Sequence, residues 1–405
     1  MKKIVVFGAG NIGRSLVGQL FSKAGYEVVF VDVDNTIVQA LNERKAYTIE
    51  VKDKRPESVR VENVRAVNLN DSEGVVYEIV SADLLSTAVG VNNLQGVYPS
   101  ITKGLMKRAE LGKSPVDIII CENIRDSSTI FREGLERCLP KDFNLDSMVG
   151  LVETCIGKMA PIIGEEQKKR DPLLVYAEAY NRIILDEKGF KQGVPNVEGL
   201  EPKRNITAYV DRKLFGHNMG HAATAYLGYL TDPEVRFIWE AVGNEKIHEA
   251  VKEAMHESGR ALIREYPDEF NDENLNEHID DLVERFNNKA LGDTVYRVGR
   301  DVQSKLSRND RLIGALLLDA KHSAPAPFTT LVVPAATLFR GKDEKGKLDP
   351  RDEAFVKDVF PLGIYHVLKA TCGLDVKKEA LLVKNVKEAY TKILVDPKNW
   401  FNAVE

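Results

Sequence analysis

Residues 211–221, DRKLFGHNMGH, hold the densest group of chemically useful side chains in the sequence. On a helix turning about 100° per residue, Lys213, Asn218 and His221 fall within an arc of roughly 140°, so one face presents all three. The stretch AATAYLGYL follows, and its small residues leave room for something to approach closely. Oxidation of a secondary alcohol needs a base for the hydroxyl proton and donors for the developing alkoxide. An amine, an amide and an imidazole meet both needs. A lysine with an ordinary pKa of about 10.4 becomes a base at neutral pH only when burial or a nearby cation lowers that value. A solvated lysine beside two capping or core polar residues gives the same pattern, and spacing alone does not separate these readings.

A second group lies at the start of the chain. Gly8, Ala9, Gly10, Asn11, Ile12 and Gly13 form GxGxxG directly between an apolar run and a helical pattern. In that context Gly8 permits a tight turn, Gly10 lets the backbone approach a pyrophosphate, and Gly13 lets the helix pack against the strand. The free N–H groups of the helix N-terminus then face the phosphates. Asp32 closes the next apolar run about 20 residues further on, where a carboxylate receives the ribose hydroxyls and repels a 2′-phosphate. The expected cofactor is NAD rather than NADP. Capping of the following helix is the competing role for Asp32, although Asp34 and Asn35 are available for it. Thr87, Ala88 and Val89 end a further run, at the sheet edge where ligands bind in open α/β folds.

The elements that must position these groups follow from periodicity. Residues 3–7, 28–33, 84–89 and 116–120 are short apolar runs, and helical spacing follows each of them, including 95–108 and 127–136. This alternation predicts a parallel sheet covered on both faces. Residues 47–51 and 59–67 read as an inserted antiparallel hairpin, and 173–176 and 182–185 as further strands. From about Asn205 long helical periods take over. The expectation is an α/β, Rossmann-type N-terminal domain with an inserted hairpin over residues 1–200 and a mainly α-helical C-terminal domain over residues 201–405. GVPNVEGLEP, residues 193–202, is the connection.

Composition narrows the function further. A net charge of −5 from 56 basic and 61 acidic residues argues against a nucleic-acid surface. Cys121, Cys138, Cys155 and Cys372 form no CxxC pair and lie far apart, unlike a zinc site or a disulfide framework, so a reducing cytoplasm is expected. The first apolar run stops at Gly8, too short for a signal peptide, and no run reaches the roughly 18 residues that span a bilayer. Cys121 reads as a small buried hydrophobe rather than a nucleophile. Sequence does not choose between monomer and dimer.

The pattern at Lys213, Asn218 and His221, continued by GHAATAYLGYL, resembles the signature of the polyol-specific long-chain dehydrogenases, nearest their mannitol-1-phosphate 5-dehydrogenase branch. GAGNIGRSLVGQLFSKAGYEVVFVDVD, TAVGVNNL, the CEN of residues 121–123 and RVGRDVQSKLSRNDRLIG extend the resemblance along most of the chain. It implies a metal-independent enzyme with Lys213 as general base, amides at Asn123 and Asn218 cradling the oxyanion, and His221 bonding the substrate. The implied reaction interconverts a sugar alcohol phosphate and a ketose phosphate. The alternatives are an unphosphorylated polyol or a hexuronate (tagaturonate or fructuronate type), and, in a different class, a non-catalytic NAD-sensing protein. Two departures bear on the substrate: Gly157 stands where the family usually has an aspartate, and Ser304 where it has an arginine. The basic group Arg297, Arg300, Lys305, Arg308 and Arg311 is the candidate receptor for a phosphate or sugar acid, with Arg297 and Arg300 foremost; a charged loop with surface pairs is the blander reading.

Overall fold

The computed structural model describes residues 1–161 and 163–404. They divide into two compact units, Met1–Val210 and Asp211–Glu405.

The first unit is built on an eight-stranded sheet. Its strands are β1 (Lys3–Phe7), β2 (Glu27–Asp32), β5 (Val64–Asn68), β6 (Leu84–Thr87), β7 (Val116–Ile120), β8 (Val149–Cys155), β10 (Ile183–Asp186) and β11 (Leu200–Lys203), in the order β11-β10-β8-β7-β6-β1-β2-β5. All neighbours are parallel except β10 and β8. β-Branched runs suit a sheet buried on both faces: all five residues of β7 are buried. Each Val or Ile so removed from water contributes about 1.5–3 kcal/mol relative to leaving it exposed. One face is closed by helix α1 (residues 11–23) and α2 (Asn35–Arg44), the other by α3 (Ser72–Ser81), α4 (Leu94–Glu110) and α5 (Ser127–Glu136), around two separate apolar clusters.

The hairpin forms, with a correction. β3 (Ala46–Val51) and β4 (Glu57–Glu62) pair antiparallel, and β9 (Val175–Ala177) joins β3 in a separate three-stranded sheet. The run expected at 59–67 is two strands, because Asn63 adopts a left-handed conformation at φ 56° and redirects the chain into β5 beside β2. Asp34, not Asn35, caps α2, accepting from the Thr36 and Ile37 amides. β8 and β11 were not expected.

In the second unit α6 (residues 206–231, beginning in the first unit) is central. Its segment Met219–Thr231 packs against α7 (Ile238–Val242), α8 (Glu245–Glu265), the short helix α10 (Val295–Gly299) and α12 (Pro327–Thr337). Ala222, Ala223, Ala225, Tyr226 and Leu227 are all fully buried, as expected of a helix apolar all round. The other principal helices are α9 (Asp272–Phe286), α11 (Ile313–Lys321) and α13 (Ala380–Val395). No described helix is long and apolar enough to cross a membrane.

Candidate active site

The glycine motif makes the turn its spacing predicts. Gly8 holds φ +99°, and a Cβ there would sit 2.5 Å from the Ala88 carbonyl oxygen; one at Gly13 would sit 2.0 Å from the Gly8 oxygen. At Gly10 a Cβ would meet nothing within 4 Å, and the residue is exposed. The turn is therefore filled by backbone on the side facing the protein and open at Gly10, which leaves room for a pyrophosphate and fits a dinucleotide. Ala9 is buried beneath it, and the helix begins at Asn11 and Ile12. Arg14, buried, donates from Nε to the Ala9 carbonyl at 2.6 Å and braces the loop from within.

Asp32 stands at the end of β2. Its carboxylate accepts from the Ala9 amide at 2.7 Å and from the Asp34 amide at 3.0 Å, so it joins the tip of β2 to the glycine turn. With Asp34 as the helix cap, Asp32 is left to the turn. The Asp32→Ser variant is expected to raise kcat/KM with NADP relative to NAD by tenfold or more, since the charge that repels a 2′-phosphate is gone. An unchanged ratio of the two specificity constants would remove Asp32 from cofactor selection.

Thr87, Ala88 and Val89 leave β6 beside this turn, with the Ala88 amide bonded to the Phe7 carbonyl at 2.8 Å. The carboxylate that holds the segment is Glu122, whose importance the sequence reading missed. Glu122 is buried and accepts from the Val89 and Gly90 amides, each at 2.9 Å. Burial pushes its carboxyl pKa up, opposed by these N–H groups. An unsatisfied buried carboxylate costs several kcal/mol, and the paired amides offset that cost. Its neighbour Asn123 is exposed on the loop between β7 and α5. The far end of that loop is fixed by Glu153, buried on β8, which accepts from the Ser128 hydroxyl and the amides that begin α5. Cys121 is buried and its thiol pKa is pushed up to about 12 by burial, away from the thiolate form that reacts.

In the second unit the turn Lys213–Asn218 of α6 is wound as π-helix between two α-helical segments. Such a wide turn advances by roughly 80° per residue instead of about 100°, which narrows the arc spanned by Lys213, Asn218 and His221 from roughly 140° to about 60°. All three are half-buried. Uniform α-helical pitch, assumed from sequence, overstated their separation. His217, buried in the same turn, is kept neutral: desolvation lowers its pKa well below the ordinary value, and Arg285, His221, Lys213 and His278 add to the effect. The His217 and His221 rings lie 6.2 Å apart between centroids.

His221 is fixed on two sides. Its ring stacks on Phe286 at 4.8 Å between centroids and 7° between planes. Its Nε2 lies 3.0 Å from the carboxylate of Asp293, a residue sequence reading did not single out. Asp293 also receives both Nε and Nη2 of Arg297 at 2.5 Å. Although desolvation raises its pKa, bonds from His221 and Arg297 prevail and hold it well below the usual carboxylate range.

The expected anion receptor is largely neutralised. Arg297 is engaged by Asp293, Arg308 by Glu379 at 2.5 Å, and Arg311 by Asp310 at 2.7 Å. Lys305 is buried, donates to the Arg300 carbonyl, and has its pKa lowered to about 8, chiefly by desolvation. Arg300 lies 6.0 Å from the Tyr296 ring and forms no ion pair with a described residue. At Gly157 the atoms nearest to a Cβ would be those of Tyr180, at 3.7–3.8 Å, so an aromatic side chain borders the place of the missing carboxylate.

Two family models match this chain: the mannitol dehydrogenase Rossmann domain over residues 2–199, and the mannitol dehydrogenase C-terminal domain over residues 205–394. Among solved structures, a substrate-free D-sorbitol dehydrogenase superposes with a TM-score of 0.80 at 16% identity, covering 99% of this chain and 94% of that one. The Pseudomonas fluorescens mannitol 2-dehydrogenase, in a ternary complex with NAD and D-mannitol, gives 0.73 at 18% identity, with 100% and 93% covered. At these identities the likeness speaks for the fold alone.

Proposed function

The chain belongs to the mannitol dehydrogenase family, and from that premise we propose that it is an NAD-dependent dehydrogenase acting on a secondary alcohol of an open-chain, unphosphorylated polyol. The observation that carries the reading is the wide turn Lys213–Asn218, which gathers an amine, an amide and a fixed imidazole on one narrow strip. A purely structural helix face has no need of that.

NAD, when bound, supplies the hydride acceptor. The Nζ of Lys213 takes the hydroxyl proton, and the amide of Asn218 donates to the oxygen as it gains charge. His221 bonds the substrate and holds the reacting carbon in place. Gly8, Gly10 and Gly13 admit the pyrophosphate, Asp32 receives the ribose, and Thr87, Ala88 and Val89 line the groove under the control of Glu122.

The absence of phosphate from the proposed substrate is supported by Asp293, which already satisfies Arg297, and by the carboxylate partners of Arg308 and Arg311. A second reading keeps a sugar alcohol phosphate or a hexuronate as substrate, and Arg300, without an ion-pair partner among the described residues, is what favours it. NADH absorbance with mannitol, sorbitol, mannitol 1-phosphate and tagaturonate in parallel tests both. The expected order of kcat/KM places a free hexitol first. A higher value for the phosphate or the uronate would transfer the conclusion to the second reading. NADH binding without turnover of any of them would leave only a cofactor-sensing protein.

A further inference from the structure

The contacts of Asp293 decide which nitrogen of His221 is available for work. An ionised carboxylate only accepts hydrogen bonds, so the His221 nitrogen that faces it must carry a hydrogen whether the ring is neutral or charged. That nitrogen is Nε2, at 3.0 Å. The other, Nδ1, makes no hydrogen bond with a described residue; a half-turn of the ring would keep its plane against Phe286 but put Cε1 in place of Nε2, so the bond to Asp293 fixes which way round the ring sits.

We propose that Asp293 is a positioning residue that fixes the Nε2–H tautomer of His221, leaving Nδ1 as the nitrogen that accepts a hydrogen bond from a substrate hydroxyl. The inference rests on His221 bonding the substrate, as put forward above, and adds the direction of that bond: His221 reads a hydroxyl as a donor. Asp293 holds Arg297 with the same carboxylate, so one side chain sets both the orientation of the imidazole and the effective charge of the guanidinium beside it. A substrate arriving at this corner therefore meets a hydrogen-bond acceptor and a satisfied cation, a combination suited to a hydroxyl and poorly suited to an anion.

Long-range 1H–15N spectra of the full-length protein labelled with 15N-histidine, with His221 assigned through a His221→Gln variant, read the tautomer directly. Protonated Nε2 with bare Nδ1 is the expected result; protonated Nδ1 with bare Nε2 overturns the proposal, and neither outcome depends on turnover. In kinetics, Asp293→Asn permits the opposite tautomer, because an amide both donates and accepts. The expected effect is a fall in kcat/KM for the polyol of about 10–100-fold, the range for groups that orient a working histidine, with an unchanged NADH dissociation constant. Asp293→Asn is also expected to raise kcat/KM for the phosphorylated polyol relative to the free one. Wild-type kcat/KM in this variant, or an unchanged substrate ratio, counts against the proposal. Should the variant fail to fold, the wild-type spectrum still decides. Lys213→Ala, measured alongside, separates the two levels: retained turnover there overturns the lysine mechanism, whereas a normal spectrum with loss of turnover in both variants supports both.

Discussion

Lys213→Ala is expected to lower kcat by about 10²–10⁴-fold, the usual contribution of a positioned general base, while the dissociation constant for NADH stays within a few-fold of wild type. The amine belongs to a turn in which His217 is held by burial, and His221, one turn further on, is held by Phe286 and Asp293. Truncation at a half-buried position on such a turn removes the proton acceptor and leaves the frame standing. Because only the transition state loses an interaction, kcat and kcat/KM should fall together, with little change in KM. Steady-state kinetics with a polyol and NAD, paired with NADH fluorescence titration, gives both numbers. Turnover within threefold of wild type would end the lysine mechanism.

The second large effect lies at the other motif. In Gly13→Ala the new Cβ would stand 2.0 Å from the Gly8 carbonyl oxygen. Retreat is blocked, because Gly8 itself has the Ala88 carbonyl 2.5 Å from its own Cβ direction and a φ of +99° that other residues rarely adopt. Strain of this kind costs about 1–3 kcal/mol, and here it deforms the loop that must meet the pyrophosphate. NADH affinity should drop by tenfold or more, accompanied by a lower melting temperature. Titration and thermal unfolding of the same preparation check it; affinity within threefold of wild type would show that the turn does not hold the cofactor.

What sequence reveals here depends on how local its cause is. The strands at 3–7 and 116–120 and the helix at 94–110 were legible because apolar period and turn residues lie side by side in the chain. β8 was hidden by Glu153 and Thr154, polar residues that are buried because one caps α5 and the other bonds the Ile120 carbonyl. β11 contains Pro202, which an edge strand tolerates but which reads as a loop. The basic group around Arg308 looked like an anion receptor because its partner Glu379 is 71 residues away. Asp293 escaped notice for a related reason: its spacing to Arg297 suits an ordinary helical ion pair, and nothing in the chain announces that His221 will stack beside it. Glu122 lay within a motif already quoted, but its two amide partners belong to a different strand end.

The wide turn of α6 also bears on how such a chain tolerates change in length. It accommodates one residue more than regular winding would, a slack that a single-codon deletion between Lys213 and Asn218 would take up while leaving a good helix behind. Seven regular steps of about 100° would then cover the same roughly 700° from Lys213 to the imidazole as five steps of about 80° and three of about 100° do now, so the two side chains would stay on one side of the helix. For this fold, one codon can be lost from that turn without parting the imidazole from the amine, whereas regular winding of all the present residues would turn them apart by about 100°.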